Sequence, residues 1–336
     1  MFKISREEII VYLKKIPFFP SYKIKEFSYV NHNLKAYYKP INSKEQINSI
    51  MQIIKTYSAT FNRYSALSLE TDLIQILSKF MDIDFTDKIR EIIKTNKDDD
   101  TIYNLLRDLK DKHKSKQSLM HPKFLPNAAE IVAQNFRFHL HRYIQPQYNY
   151  LDLGAGNGYK TKLIAKYLSL NLNNVHCIDF KEFDQKIYDR EKELKFKDLD
   201  NHMCELPYED NSFDFVSSLM VLHHITDDKV LEFTLNQIKR ILKHGGYFLI
   251  KEHNAMSASD KMLADIEHCM YEIVYNKVPN YKFRKAKYSR YFSWIEWDII
   301  LKRFGFTKVE MHGMDYSINN QINASKHYFA LYILKK

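Results

Sequence analysis

The residues most ready for chemistry are the glycines of "NYLDLGAGNGYK" (149–160), where Gly154, Gly156 and Gly158 fall at every second position directly after an apolar run. A glycine turn of this kind lets a ligand approach the backbone closely. A dinucleotide fingerprint would put its third glycine three residues after the second, where this chain has Tyr159, and Lys160-Thr161 does not fall in the frame of a P-loop. A carboxylate closes the next apolar run: Asp179 follows Gly158 by 21 residues, a separation suited to a ribose diol. Glycine turn and ribose acid together imply an adenosine-like ligand, with no pyrophosphate to cradle.

A strand must lead into that turn and a helix must leave it. From Tyr150 onward, short apolar runs alternate with helical stretches, the pattern of a parallel sheet with crossover helices. Strands are expected at 150–154, 174–180, 213–219 and 246–253, with "YKTKLIAKYLS" and "KVLEFTLNQIKRILK" as helices between them. "WIEWDIILKRFG" reads as a late helix, followed by the strand candidates "FTKVEMHG" and "KHYFALYILK". A doubly wound α/β sheet results.

The first 150 residues contain none of the seven glycines. Ser5 with Glu8 and Ser43 with Gln46 have capping-box spacing, and apolar positions recur at helical intervals in "LIQILSKFM" and "TIYNLLRDLK". Residues 1–115 therefore read as a mainly helical accessory domain, 116–126 as a linker marked by a basic run and two prolines, and 127–336 as the α/β domain. "NAAEIVAQNFRFHLHRYI" opens that domain as an amphipathic helix with Phe136, His139 and Tyr143 at helical spacing.

With 45% hydrophobic residues in 336, the chain can build a sizeable core. It lacks an 18-residue apolar run and a signal-peptide core, so a cytoplasmic protein without a membrane partner is expected. Three widely spaced cysteines argue against a disulfide framework and a cysteine-based zinc site, and no metal site is expected. The net charge of +10 biases the surface toward polyanions, although a solvated basic surface would look the same.

The ordered motifs over 127–336 resemble class I S-adenosylmethionine-dependent methyltransferases of the type 11-like kind. "LDLGAGNG" is similar to their first motif and "CIDF" to their second. "CELPYEDNSFDFVSSLMVLHHI" resembles the stretch into their fourth strand, "LKHGGYFLI" the start of their fifth, and "YSRYFSWIEWDIILKRFGF" their late helix and the following turn. The resemblance implies a Rossmann-like, doubly wound, seven-stranded sheet, with S-adenosyl-L-methionine as cofactor. It also implies that Gly154, Gly156 and Gly158 admit the methionine part, that Asp152 fixes its amino group, and that Asp179 and Phe180 hold the ribose and border the adenine. Leu219, Met220 and His223 would lie beside the methyl donor. Where many members carry an aspartate before the Leu-Pro pair, this chain has His202, so the adenine contact falls to His202, Met203 or Asp200.

Methyl transfer from a sulfonium needs alignment and exclusion of water, and a base only where the acceptor must lose a proton. His223 and Lys251, at the expected carboxyl ends of strands four and five, are the catalytic candidates. Lys251 sits where RNA 2′-O-methyltransferases of the Lys-Asp-Lys-Glu type carry a lysine, but Leu219 and His327 stand where the aspartate and glutamate of that tetrad belong. Residues 256–294 form an insertion that interleaves aromatics and cations near 281–291, suited to stacking bases and neutralising phosphates or, equally, to a solvated cover. An RNA substrate, methylated at a cap or base position, is the leading expectation. A small-molecule acceptor and a non-catalytic cofactor-binding scaffold, with a protein partner docked through the N-terminal domain, are the alternatives.

Overall fold

The computed structural model of the chain describes residues 4–14, 86–95, part of 101–109, 120–180, 190–200, 205–256, 264, 289–314 and 327–335. Two helices, α1 (Arg6–Lys14) and α2 (Thr86–Thr95), precede α3 (Met120–Leu140). Then follow β1 (Tyr150–Leu153), α4 (Tyr159–Tyr167), β2 (Val175–Phe180), β3 (Lys195–Leu199), β4 (Phe213–Leu219), α5 (Asp228–Ile241) and β5 (Leu242–His253). The chain closes with α6 (Trp294–Arg303), β6 (Phe306–Met314) and β7 (His327–Leu334).

Seven strands form one sheet in the order β3-β2-β1-β4-β5-β7-β6. The first five pair in parallel and β7 enters antiparallel between β5 and β6. The order reverses at β1, so the crevice at the carboxyl ends of β1 and β4 is where ligands bind in open α/β sheets. β1 and β4 are central and covered on both faces, which explains why they read as nearly continuous apolar runs.

Alternate side chains of each strand feed two cores. Leu151, Leu153, Val216, Phe248 and Ile250 pack with α5 and α6 through Leu231, Leu235, Ile238, Trp297 and Ile300. On the opposite face Tyr150, Cys177, Phe215 and Leu249 meet α3 and α4 through Val132, Phe136, Ile164 and Ala165. A sheet with helices on both faces holds its strand ends in fixed register.

The expected strands and the three expected helices of the α/β part are present, with shifted bounds. β5 begins at Leu242 instead of 246, because α5 ends at Ile241 and its C-cap residue is already extended and paired with Phe213. β3 has no counterpart among the expected strands: it is a short edge strand whose mostly polar sequence "KFKDL" carries little apolar signal.

Two features fall differently from the expected domain limits. α3 starts at Met120, inside the stretch read as a linker; Pro122 lies in its first turn, where the missing N–H has no intrahelical acceptor to lose. The capping box of Ser5 and Glu8 forms as expected (2.8 and 3.1 Å), yet the helix it starts packs on the α/β body. Ile9 is buried with Ile295 and Ile299 of α6, Glu8 pairs with Arg303 at 2.6 Å, and the Tyr12 hydroxyl donates to the buried Asp298 carboxylate. Ser43, Gln46 and "LIQILSKFM" lie outside the described residues. Among the described residues no helix is long and apolar enough to cross a membrane.

Candidate active site

The glycine turn takes its shape from its neighbours. All three glycines have positive φ (76°, 59° and 80°), a conformation that L side chains adopt only with strain. A Cβ on Gly154 would overlap Val221, and one on Gly158 would lie 2.6 Å from the Phe196 ring, whereas a Cβ on Gly156 would meet nothing within 4 Å. Two of the glycines thus let protein pack on protein, and the third borders open space. Gly156 is the position where a ligand can come against the backbone.

Two buried carboxylates flank this opening. The Gly156 amide donates to Asp179 Oδ2 at 2.5 Å, and the Gly154 and Ala155 amides donate to the Ile178 carbonyl at 2.8 and 3.0 Å, so the end of β2 fixes the loop. Asp152, 3% exposed, accepts from Thr161 Oγ1 and Ser217 Oγ, both at 2.5 Å. Burial pushes its carboxyl up to about 6, against the opposing pull of those two hydroxyls. These residues suit an adenosylmethionine: a ribose-reaching acid at β2, an acid near the glycines for a cationic amino group, and an approachable amide between them.

The second half of the site lies at the ends of β4 and β5. Met220 leaves β4 with a φ of 65°, a left-handed conformation that costs a non-glycine residue roughly 1–3 kcal/mol. Its amide donates to the Lys251 carbonyl at 2.7 Å. The turn that follows is pinned from below by Glu252, whose Oε1 accepts from the amides of Val221 and Leu222 (3.2 and 2.8 Å) and whose Oε2 lies 2.6 Å from His223 Nδ1. Both side chains of this pair are almost fully buried. Burial raises the Glu252 carboxyl far above the ordinary carboxylate range and holds the His223 imidazole neutral, with the Lys251 charge adding to the effect on the histidine.

A cover closes over this pair. The Arg290 amide donates to the His223 carbonyl at 2.6 Å, and its guanidinium pairs with Asp228 at 2.6 Å. Ser289 Oγ is 3.2 Å from His224 Nδ1. Tyr291, also buried, lies over His223 (ring centroids 6.1 Å) and edge-on to His253 (5.2 Å). Segment 289–292 thus covers His223.

The structure brings Asp152, Gly154, Gly156, Gly158 and Asp179 together at one strand end, and Leu219, Met220, His223 and Lys251 at the next. Phe180 closes β2 opposite Leu199, its side chain outside the described residues, as are His202 and Met203 altogether. Glu252 is a buried residue of this strand end that the sequence candidates omit. Its signal was present: an acid in an otherwise apolar, central strand is buried and must have partners.

Residues 151–250 match the family described as a methyltransferase domain. Among curated relatives, the polyketide synthase-nonribosomal peptide synthetase ACE1 of Pyricularia oryzae is 31% identical over 119 residues, 33% of this chain and 3% of that protein. The PKS-NRPS hybrid synthetase cheA of Chaetomium globosum is 25% identical over 177 residues, 50% of this chain and 3% of its own length. The chain thus spans a few per cent of the length of these relatives. Of solved structures, a putative methyltransferase of Haloferax volcanii complexed with the activator Trm112 aligns at TM-score 0.42 with 18% identity over 65% of this chain and 100% of that one. A 1,6-didemethyltoxoflavin-N1-methyltransferase of Burkholderia thailandensis gives 0.42 with 14% identity over 69% and 88%.

Strand order, glycine turn and family match together define an α/β domain built to hold an adenosine-type ligand at its switch point. Over residues 151–250 that domain matches a methyltransferase domain, set in an open α/β sheet of the order given above.

Proposed function

We propose that the chain methylates a small-molecule acceptor, of polyketide or peptide type, that loses a proton in the reaction. The observation that carries this proposal is the buried His223–Glu252 pair at the carboxyl ends of β4 and β5. S-adenosylmethionine supplies an already activated methyl group, so the chain's own work is to hold, dry and deprotonate. Asp179, fixed by the Gly156 amide, holds the adenosine side, and Asp152 the amino group. Once ionised, Glu252, anchored by two backbone amides, accepts Nδ1–H of His223 and so leaves Nε2 as the proton acceptor. His223 Nε2 would take the acceptor's proton, and the bound cofactor would supply the methyl group to the electron pair so freed. Lys251, buried beside the pair, favours the anionic form of the acceptor by its charge.

Two facts support a small acceptor over RNA. Segment 289–292 covers His223 and leaves it 2% exposed, and the matched relatives carry the names of polyketide and peptide synthetases. An RNA acceptor draws its support from the net charge of +10 and from residues 281–288, which lie outside the described residues. Incubating the full chain with methyl-labelled cofactor and, separately, a β-keto acyl thioester, a metabolite extract and capped RNA tests this proposal. Label in the small-molecule fractions is expected; label only in RNA would overturn it, and absence of cofactor binding by calorimetry would favour the scaffold.

A further inference from the structure

Away from the cofactor crevice, α3 meets the edge of the sheet. His139 of α3 and Glu310 and His312 of β6 offer ligand atoms that all lie within 4.8 Å of one another, and among the described residues no other three histidine, cysteine or acidic side chains do so. Glu310 and His312 are two apart on a strand and so share a face. α3 is laid on that face by the packing of Phe136 and His139 against Phe329 of β7. The placement is therefore set by the core and not by a flexible loop.

The three side chains are in direct contact. The imidazoles of His139 and His312 stack with centroids 3.3 Å apart. His312 Nε2 is 2.6 Å from Glu310 Oε1. The other oxygen, Oε2, accepts from Arg142 and from the Tyr143 hydroxyl, which fixes the carboxylate and turns Oε1 toward the histidines.

We propose that His139, Glu310 and His312 form a binding site for a divalent first-row transition cation such as Zn²⁺, which staples the end of α3 to the edge strand β6. Two imidazole nitrogens and one carboxylate oxygen suit zinc, with solvent completing the coordination. Arg142 weakens the site, because its charge beside Glu310 opposes a second cation. Its side chain is 62% exposed.

Zn²⁺ calorimetry on the full-length, metal-stripped chain tests this assignment, with Co²⁺ absorption to report imidazole coordination. One equivalent is expected to bind to wild-type protein and to raise its melting temperature. His139→Phe keeps a ring against His312 and Phe329 but removes the nitrogen, and its affinity should fall by about 100-fold or more, beyond the loss typical of removing a supporting contact. Arg142→Gln should bind several-fold more tightly, an increase that mere loss of structure would not give. Exposed His244→Ala should leave the affinity unchanged. Absence of saturable binding below about 1 mM, or equal affinity in wild type and His139→Phe, would overturn the site.

Discussion

Two halves of one strand edge are built on opposite terms. At β1 and β2 the ligand-facing groups are backbone amides and carboxylates, held by a contiguous glycine turn, with open space at Gly156. At β4 and β5 the groups are a histidine from the turn after β4 and a glutamate of β5, buried against each other and covered by Tyr291. Under the proposed function the first half binds a ligand that is the same in every turnover, and such a site needs access. The second would change protonation in every turnover, which calls for a dry surrounding in which a proton has few places to go.

Substitutions that separate the halves test this division. The largest effect is expected for His223→Ala, with kcat reduced about 10²–10⁴-fold by loss of the base and the cofactor Kd kept within about threefold. Equal losses in both would mean that the halves are one unit. Gly154→Ala comes next, because its Cβ must displace Val221 at a positive φ. A loss of about 2–4 kcal/mol by chemical denaturation is expected, against about 1 kcal/mol for Gly156→Ala, which meets open space. For cofactor affinity the order reverses, with Gly156→Ala the more damaging of the two at temperatures where both fold. Asp179→Ala should weaken cofactor binding by about 10²-fold in calorimetry while acceptor binding stays unchanged, and a drop in kcat alone would count against its ribose role.

The same contrast governs what could be seen in the sequence. The three glycines and Asp179 follow and close two neighbouring strands within one contiguous βαβ unit, so spacing paired them, and the family resemblance added Asp152. His223 was visible as a candidate because it follows a strand end, but its partner was not, since pairing Glu252 with it requires knowing that β4 and β5 are neighbours and in which register. Leu219 lies opposite Lys251, which puts Glu252 under the Val221–His223 turn, a fact of sheet geometry and not of spacing. Likewise, Ser5 and Glu8 announced a helix start, while its docking on α6 depended on Ile9 meeting Ile295 and Ile299, far along the chain. β3 escaped notice because an edge strand with one buried face needs few apolar residues.

The smallest expected effect is also the most specific to the β4–β5 half. Glu252 is raised by burial, to about 8, so at neutral pH the pair retains a proton that must leave before His223 Nε2 can act as a base. The sign follows directly: kcat/KM should rise with pH through this value and level off above it, opposite to a group needed in its protonated form. Replacing the acid by Glu252→Gln keeps the two backbone hydrogen bonds through the amide oxygen but removes the charge that stabilises the imidazolium. The rate at high pH should fall by roughly 10–100-fold, and the rise near 8 should disappear, leaving only the titration of the histidine itself. The raised pKa also carries a stability consequence, because unfolded Glu252 ionises near 4.5 and the folded form does not. Wild-type stability should fall as pH climbs between these values, and the slope should be shallower in Glu252→Gln. A variant that keeps the wild-type pH profile would place the titrating group elsewhere and reduce Glu252 to a brace for the Val221–His223 turn.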